Sequence, residues 1–491
     1  DLQWTDQSSL LLLQYIARGI QKESLLLLGE YRDTDVDERH PLFPILTELN
    51  RERLPRPIHL KRMSTDEIAE MIKQILGQEV PRDFCELVYE KTRGNPFFTE
   101  EVIKALKEQE VIYREGGNWR IKELSRIKFP PTVRSVIEDR IGRLDEECRS
   151  VLTMASFIGK DFTFEALCKV TGIEEDKLIE IIEKMLKTGL IEEKLVRGEE
   201  VYSFADIIFR DVVHEEVSLL RHKRLHGTIG AALEELYSDE VDEHLGELAY
   251  HFLEGGGKDR ALDYFLRAGD RAEKVYAHGE ATSYFQSALE LLEGRGEKQR
   301  ERGSVLERLG DIKRLVGEYR ASMKYWNEAL PLWIQLQEKE RIAGAHRKMA
   351  SILWDHMGDV EKAKGHYTEA LDILEIEPKS IELASLYEDM ARMYSMIGES
   401  AKALSLAEKA LDLAKELNAH EVMASSYATM ALSIPDTGDT EKAGECLERA
   451  LKMALENGYV ETALWAYATL GYTFLRSEYD WKSIQRHLEY H

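Results

Sequence analysis

The start of the sequence contains residues whose types and spacing could bind a metal ion and a phosphate. Asp1 opens the chain, a helical pattern runs from Ser8 to Gly19, and the apolar run Leu25–Leu28 leads to Arg32. A continuous apolar run bounded by turn residues is typical of a buried parallel strand. An acid where one parallel strand ends, and an arginine where its neighbour ends, can hold Mg2+ and contact the terminal phosphate of a nucleotide. We therefore predict a catalytic, magnesium-binding role for Asp1 and a catalytic, phosphate-sensing role for Arg32.

Both roles have simpler alternatives. Asp1 could be a terminal residue without function, and Arg32 could be a surface residue paired with Asp33 or Asp35. Neither GxxxxGKS nor GxxxxGKT, the loop whose backbone N–H groups bind phosphates, occurs in the sequence. We expect that loop to precede Asp1.

Two other patterns are similar to binding motifs but favour structural explanations. Gly255–Lys258 is followed by Asp259 and is not preceded by a strand, so we predict a turn between two helices. His222 and His226 lie four residues apart on one predicted helix face. Because no acidic partner accompanies them at metal-ligand spacing, we predict that they pack or face solvent and do not bind a metal.

The turn Gly94-Asn95-Pro96 separates two predicted helices. The capping pattern of Ser64 and Glu67 marks the start of this helical region. Glycine just past a helix, followed closely by proline, is the usual signature of a helix end. Taken alone, these residue types predict a turn and no chemical role.

Composition and charge exclude several classes of protein. The 491 residues carry a net charge of −25, which argues against a nucleic-acid surface covering the chain because phosphates require positive charge. No apolar run approaches the ~18 residues of a membrane span. The four cysteines are scattered, as in proteins of a reducing compartment. We predict a cytoplasmic protein that does not contact a membrane.

The periodic patterns predict a mainly α chain of four domains. We expect an α/β segment over 1–62, a helical segment over 63–128, helices followed by a hairpin over 129–238, and helical repeats over 239–491. Helices followed by a hairpin favour a winged helix. Its candidate recognition stretch, 174–188, carries five acidic residues against three lysines, which favours packing and signal relay over DNA binding.

The C-terminal half is repetitive. Turn glycines recur at Gly317, Gly358, Gly398 and Gly438, in steps of 41, 40 and 40 residues, and small residues recur at fixed distances after them. Glu478 continues the register, and we expect the last repeat to be incomplete. Helix pairs of this kind cannot bury their faces alone and therefore stack. The pattern resembles tetratricopeptide repeats, with a period of about 40 in place of the usual ~34 residues.

Taken together, these motifs resemble the STAND ATPases, signal-transduction nucleotidases with numerous domains. The match is to the branch of this family whose nucleotidase module is also found joined to class III adenylate cyclases, serine/threonine kinases and LuxR-type activators. Asp1–Asp6 resembles the end of that branch's Walker-B strand, with Gln3 where histidine is common. Gly29–Arg32 resembles its sensor-1 strand end, and Gly94–Glu101 resembles its GxP motif, whose proline lies against adenine. The resemblance implies that 1–62 is the C-terminal part of a P-loop nucleotidase and 63–128 its lid.

The resemblance extends through the winged helix. Phe129–Arg140 is similar to the beginning of the family's winged helix, and Phe204–His226 is similar to its end. The family places a histidine that contacts the bound diphosphate two residues after the phenylalanine matched by Phe204. Here that position is Asp206, a departure that leaves open how the closed state is held. The resemblance thus implies nucleotide contacts at Gly94, Asn95, Pro96 and Asp206, with ATP or ADP and Mg2+ as cofactors.

The function implied by the resemblance is a regulatory ATP/ADP switch with slow hydrolysis in the complete protein. The repeats would sense a protein, peptide or small ligand on their concave face and control nucleotide exchange and self-association. One alternative is a repeat scaffold with an inert nucleotidase remnant. Another is a LuxR-like transcription activator, although DNA is not an expected partner of this chain.

Overall fold

The computed structural model describes residues 2–32, 36–115, 118–121, 133–196, 198–434 and 440–476. The chain is 74% helical, which confirms the prediction of a mainly α fold with helix pairs in a solenoid arrangement. It divides into two compact units, Asp1–Tyr284 and Phe285–His491, and the division falls inside the predicted repeat domain. None of the described helices combines the length and the apolar character needed to cross a bilayer.

The N-terminal unit consists of short helices with two small antiparallel sheets. Its helices are α1 (Gln7–Gly19), α2 (Leu42–Arg51), α3 (Thr65–Leu76), α4 (Arg82–Thr92), α5 (Pro96–Glu108), α6 (Val133–Gly142), α7 (Glu146–Ile158), α8 (Phe164–Thr171), α9 (Glu175–Lys187), α10 (Ile207–Glu215), α11 (Leu219–Leu236), α12 (Leu245–Glu254) and α13 (Lys258–Lys274). Its strands are β1 (Ile112–Glu115), β2 (Asn118–Ile121), β3 (Asp161–Phe162), β4 (Ile191–Val196) and β5 (Glu199–Phe204).

The predicted strands before α3 are not formed. The side chains of Leu26 and Leu28 are 90% and 81% exposed. Leu60, in the sequence Ile58-His59-Leu60 that also has the pattern of a short strand, is 94% exposed. A parallel strand must pair with neighbours to satisfy its backbone N–H and C=O groups. No strand is present among the described residues before α3, and the side chains of both segments remain exposed to solvent. The core of this segment is instead the contact of α1 with α2 through Leu10 and Leu42.

The helices α3 to α5 pack around a separate apolar core and end in a hairpin. The predicted capping box is present, because Ser64 Oγ accepts the Glu67 N–H and the Ser64 N–H donates to the Glu67 carboxylate at 2.7 Å. The antiparallel pair β1–β2 was not predicted. Its Trp119 exchanges two hydrogen bonds with the side chain of Gln78, at 2.7 and 2.8 Å, which fixes the hairpin against the helices.

The segment 133–237 places a three-stranded antiparallel sheet, in the order β3-β5-β4, beside six helices. The predicted hairpin over 191–204 is confirmed. The stretch from Ile207 to Tyr237 forms two helices, because the chain leaves helical geometry after Glu216 and α11 begins after an extended Ser218. Serine competes with the helical backbone and favours the position before a helix start.

The helices that follow are arranged in antiparallel pairs. After α14 (His278–Leu292), which crosses the unit boundary, come α15 (Gln299–Leu315), α16 (Tyr319–Leu336), α17 (Lys339–Asp355), α18 (Val360–Leu374), α19 (Ile381–Met396), α20 (Ser400–Glu416), α21 (His420–Ser433), α22 (Thr440–Asn457) and α23 (Val460–Arg476). The turn glycines Gly317, Gly358 and Gly398 have φ of +80°, +70° and +86°, a conformation that glycine adopts without strain. Gly438 and Glu478 lie outside the described residues.

Candidate functional site

The turn Gly94-Asn95-Pro96 starts helix α5. Asn95 is its N-cap, with Oδ1 accepting the Phe98 N–H at 3.1 Å, and Pro96 is its first residue, where a missing N–H costs nothing. Gly94 has φ +74°, and a Cβ there would lie 2.1 Å from the Met63 carbonyl oxygen. The Met63 N–H in turn donates to the Gly94 carbonyl at 2.9 Å. These contacts fix the turn and leave the Pro96 ring exposed.

The first turn of α5 packs against α10. The rings of Phe97 and Phe209 meet edge to face, with centroids 5.9 Å apart. Farther along α5, Glu101 is paired with Arg140 of α6, whose guanidinium lies 5.6 Å from the Phe209 ring. The predicted proline turn and the start of α10 are therefore parts of one packed junction.

Asp206 is the N-cap of α10. Its Oδ1 accepts the Ile208 N–H at 2.9 Å. The amides at a helix N-terminus are a natural anion-binding position. Here the protein's own carboxylate occupies it, so Asp206 has a structural role that its sequence position did not reveal.

Arg32 lies within electrostatic range of the same helix. Partial burial raises the pKa of the Asp211 carboxyl, and the positive charges of Arg210 and Arg32 oppose that rise. The backbone N–H of Arg32 also donates to Gln3 Oε1 at 3.4 Å. The structure thus gathers Arg32, the proline turn and Asp206 around α10. Asp1 lies outside the described residues, so its predicted role stays a prediction.

Four histidines of α10, α11 and α12 form a cluster that sequence reasoning missed. His214, His222 and His226 each offer a ring nitrogen, and these atoms lie within 4.8 Å of one another. Nδ1 of His226 lies 3.0 Å from Nδ1 of His251, which is buried behind it. The only sequence signal was the spacing of His222 and His226, because His214 and His251 reach the cluster from other helices.

Burial controls the charge of this cluster. Burial and, to a lesser extent, the neighbouring imidazoles lower the pKa of His226 to about 3, and burial lowers the pKa of His251 to about 4. Both rings are therefore neutral at physiological pH. Phe157 covers the cluster by stacking on His214, with ring centroids 4.1 Å apart.

A ladder of charged side chains connects the first helices of successive pairs in the C-terminal unit. Arg347 of α17 binds Glu382 of α19 through two nitrogens, at 2.6 and 3.3 Å, and Asp389 at 2.7 Å. Lys348 contacts Glu307 and Asp311 of α15 at 2.9 and 2.8 Å. Burial opposes the charge of Arg347, but Glu382 and Asp389 raise its pKa well above the ordinary value.

The ladder continues towards the next pair of helices. Arg392 donates to Asp389 at 2.8 Å, and Thr429 of α21 donates to Glu388 at 2.8 Å. Burial raises the pKa of the Glu388 carboxyl, and the hydroxyl of Thr429 stabilises its charged form. We call this set of side chains the charge ladder. Its members are Glu307, Asp311, Arg347, Lys348, Glu382, Glu388, Asp389, Arg392 and Thr429.

The first helices lie on the inside of the curved stack. Arg314 at the end of α15 contacts Glu461 at the start of α23, at 3.0 Å, although seven described helices lie between α15 and α23 along the chain. Elements so distant along a solenoid can meet only on the inner side of its curvature. The side chains of Arg347 and Arg392 remain 19% and 24% exposed. The charge ladder therefore lines an inner face that solvent reaches.

Two families match parts of the chain. Residues 341–416 match the tetratricopeptide repeat family, and residues 64–120 match a domain of unknown function (DUF8739). The first match covers α17 to α20, which includes Arg347 and its two acidic partners. The helix pairs α17–α18 and α19–α20 are thus tetratricopeptide-like repeats, which are typical of protein-interaction and sensor domains.

Curated relatives are distant and much longer. The chain is 22% identical over 304 residues to the peroxide stress-activated histidine kinase mak3 of Schizosaccharomyces pombe, covering 58% of this chain and 12% of the kinase. It is 23% identical over 295 residues to an uncharacterized protein of Rhizobium meliloti, covering 59% of this chain and 27% of that protein. The chain therefore spans about an eighth and about a quarter of these two relatives.

The solved structures that match the chain are also distant from it. A STAND protein with a tetratricopeptide repeat sensor from Pyrococcus horikoshii has a TM-score of 0.35 and 16% identity, covering 98% of this chain and 87% of its own. The apo quorum sensor NprR from B. thuringiensis has a TM-score of 0.38 and 14% identity, covering 64% of this chain and 81% of its own.

Proposed function

We propose that this chain is the sensor part of a signal-transduction switch whose repeat array binds a peptide or a segment of a protein. The observation that carries the proposal is the charge ladder on the inner face. Apolar side chains of similar volume would stabilise the packing of these helices as well as buried ion pairs do, so stability alone does not account for the charges. A polar inner face that solvent reaches can instead offer charges and hydrogen bonds to a bound chain.

The chemistry of the ladder favours a ligand with charged groups. Arginine and lysine alternate with carboxylates, so a bound segment can exchange its own acidic and basic groups for pairs within the ladder. Such an interface gains specificity and association rate from charge complementarity, and its affinity falls as salt screens the charges.

The test is a selection from a random peptide display library against the full chain, followed by calorimetric titration of the selected peptides. Arg341→Glu changes an ion-paired, half-exposed residue of α17 that contacts Glu307 of the ladder. Lys324→Glu makes the same charge change on α16, at a residue that is 74% exposed. We expect Arg341→Glu to weaken binding about tenfold, or 1.4 kcal/mol, and Lys324→Glu to leave it unchanged. Failure to select any binder, or equal loss in both variants, contradicts the proposal.

We also propose that the sensor controls an ATP/ADP-dependent switch in the longer protein, with Mg2+ as metal cofactor, slow hydrolysis and self-association on activation. The observation in favour is the junction at α10, where Phe97 after Pro96 packs on Phe209, Asp206 caps the helix, and the charge of Arg32 acts on Asp211. The described residues fit this cofactor only in part. Pro96 is exposed and could contact a planar ring, but Asp206 already caps the amides that a diphosphate would need.

Nucleotide binding is tested on the complete protein by titration with ADP and by measuring ATP hydrolysis. Arg32→Ala should slow hydrolysis and leave ADP affinity nearly unchanged, since the arginine would contact the terminal phosphate. Arg39→Ala, in the loop before α2, is the matched control. A complete protein that binds peptide but no adenine nucleotide is the scaffold with an inert nucleotidase remnant. A specific DNA shift in a mobility assay would instead indicate the LuxR-like activator.

A further inference from the structure

The histidine cluster of the N-terminal unit has the composition of a metal site. His214 lies at the end of α10, and His222 and His226 face it from the first two turns of α11. Their ring centroids are 4.7 Å apart between His214 and His222 and again between His222 and His226. Three neutral imidazoles with an open fourth position are a known ligand set for Zn2+.

One ring nitrogen in this cluster lacks a partner. Nε2 of His226 is buried and has no hydrogen bond with any described residue. A buried polar atom without a partner is costly, and such atoms often mark the binding position of an ion or a water molecule. The nitrogen belongs to the same residue whose other nitrogen, Nδ1, is held by His251.

The contact with His251 gives His226 the arrangement of a metal ligand. A ligating histidine usually donates its second N–H to a neighbouring acceptor, which fixes the tautomer and the ring orientation. Here Nδ1 of His226 can donate to Nδ1 of His251 at 3.0 Å, which leaves the lone pair of Nε2 for a metal ion. His251 is thus a positioning residue and not a ligand.

The surroundings favour one dry side and one open side. Phe157 packs against all three rings, with centroids 4.1, 4.8 and 5.1 Å away. His214 and His222 are half-buried, so an ion can reach the cluster from solvent. The charges of Arg210 and Glu215 act on His214 in opposite directions and partly offset each other.

We propose that His214, His222 and His226 bind one Zn2+ ion, with water as the fourth ligand, and that His251 orients His226 for this role. Tetrahedral zinc at about 2.0–2.1 Å from each nitrogen requires nitrogens about 3.3 Å apart. The rings must therefore close in from the separation of up to 4.8 Å, through side-chain rotation. Bound zinc would link α10 to α11 across the turn at Ser218.

A second cluster must be silenced before zinc binding is measured. His346, His366 and Glu369 also place three ligand atoms within 4.8 Å of one another, in the C-terminal unit. The parent protein for the test is therefore the full chain carrying His346→Ala and His366→Ala. It is stripped with a chelator and titrated calorimetrically with zinc chloride, and Co2+ replaces zinc for the visible spectrum.

The expected result is one zinc ion per chain in this parent. His222→Ala and His214→Ala, which change half-buried residues, should each lower the affinity at least about tenfold and abolish the tetrahedral Co2+ spectrum. His59→Ala, at an exposed residue before α3, should change neither. His251→Ala should lower the affinity about 10–100-fold with the stoichiometry still one, and His251→Gln should recover part of it.

The opposite results are equally clear. A parent that binds no zinc, or one whose zinc affinity is the same in His214→Ala and His222→Ala, overturns the proposal. If the parent does not fold, hydrogen exchange of the unaltered chain decides. Zinc-dependent protection over 214–226 supports the site, and protection confined to 346–369, or none at all, overturns it.

Discussion

Arg140 and Glu101 form an ion pair of 2.6 Å in which the two side chains are only 7% and 2% exposed. The pair joins α6 to α5, close to the turn that carries Pro96. Lys104 contacts the same carboxylate at 3.1 Å from the solvent side. The buried carboxylate of Glu101 therefore depends mainly on Arg140 for its stabilisation.

Removing Arg140 should destabilise this junction. Arg140→Met leaves the Glu101 carboxylate buried with only Lys104 nearby, and breaking a buried pair from one side costs about 3–5 kcal/mol. Arg143→Ala is the control. Arg143 pairs with Glu108, which lies on α5 as Glu101 does, but at an exposed position, where ion pairs contribute about 0–1 kcal/mol. Hydrogen exchange of the α5 amides measures both effects. Equal protection in the two variants would show that burial of the pair has no energetic weight.

Gly94→Ala should be more harmful than Gly77→Ala. Both glycines have positive φ, +74° and +69°, so both substitutions cost conformational energy of about 1 kcal/mol. Only at Gly94 does the added methyl also meet backbone, the Met63 carbonyl oxygen, whereas nothing lies within 4 Å at Gly77. We expect a melting temperature clearly lower for Gly94→Ala, measured by circular dichroism on the full chain. Equal melting temperatures would contradict the close approach of the two segments.

Asp145 should contribute to acid sensitivity. Hydrogen bonds from the backbone and thiol of Cys148, and then from Lys184, lower the pKa of Asp145 from 3.8 to about 2. Because the folded-state pKa is the lower one, the stabilisation is complete above about pH 4 and is lost as pH falls towards about 2. Asp145→Asn keeps an N-cap but does not titrate. The melting temperature of the unaltered chain should therefore fall more steeply than that of Asp145→Asn across this window; parallel curves would refute it.

Arg347 should be essential to the repeat array. Arg347→Met removes the arginine that binds Glu382 and leaves Asp389 with Arg392 alone, so we expect a loss of about 3–5 kcal/mol in the local stability of α17 and α19. Lys379→Ala breaks an exposed pair with Glu416 and should cost less than about 1 kcal/mol. Hydrogen exchange of the amides in 339–396 measures the difference. Similar protection in both variants would mean that the ladder does not stabilise the stack.

Local sequence signals predicted the helices well. Ser64 and Glu67 form their capping box because both partners lie within four residues, and a capping hydrogen bond needs no distant contact. Gly317, Gly358 and Gly398 mark real turns because glycine has no Cβ and therefore adopts positive φ without a steric cost, wherever it lies in the fold. The repeat period followed from these turns.

Strand prediction failed where pairing was required. The run Leu25–Leu28 has the composition of a buried strand, but composition does not supply the neighbouring strands that would cover it. Conversely, the pairing of β1 with β2 was missed although Gly116-Gly117 between them is a dipeptide typical of a two-residue hairpin turn. Gln78, in the loop after α3, helps to hold the two strands in place. Sheets depend on partners, so their prediction from one segment is weaker.

The sequence alone determined that a helix begins after Ser64, that helix pairs repeat about every 40 residues, and that residues such as Gly94 and Asn95 form a turn. Only the tertiary structure decided that His214 and His251 join His222 and His226, and that Arg347 lies between two acids of the next helix pair. The physical reason is the separation along the chain of the residues that make each contact. Caps and turns are fixed by neighbours along the chain, whereas a cluster or an ion pair between helices depends on how those helices pack.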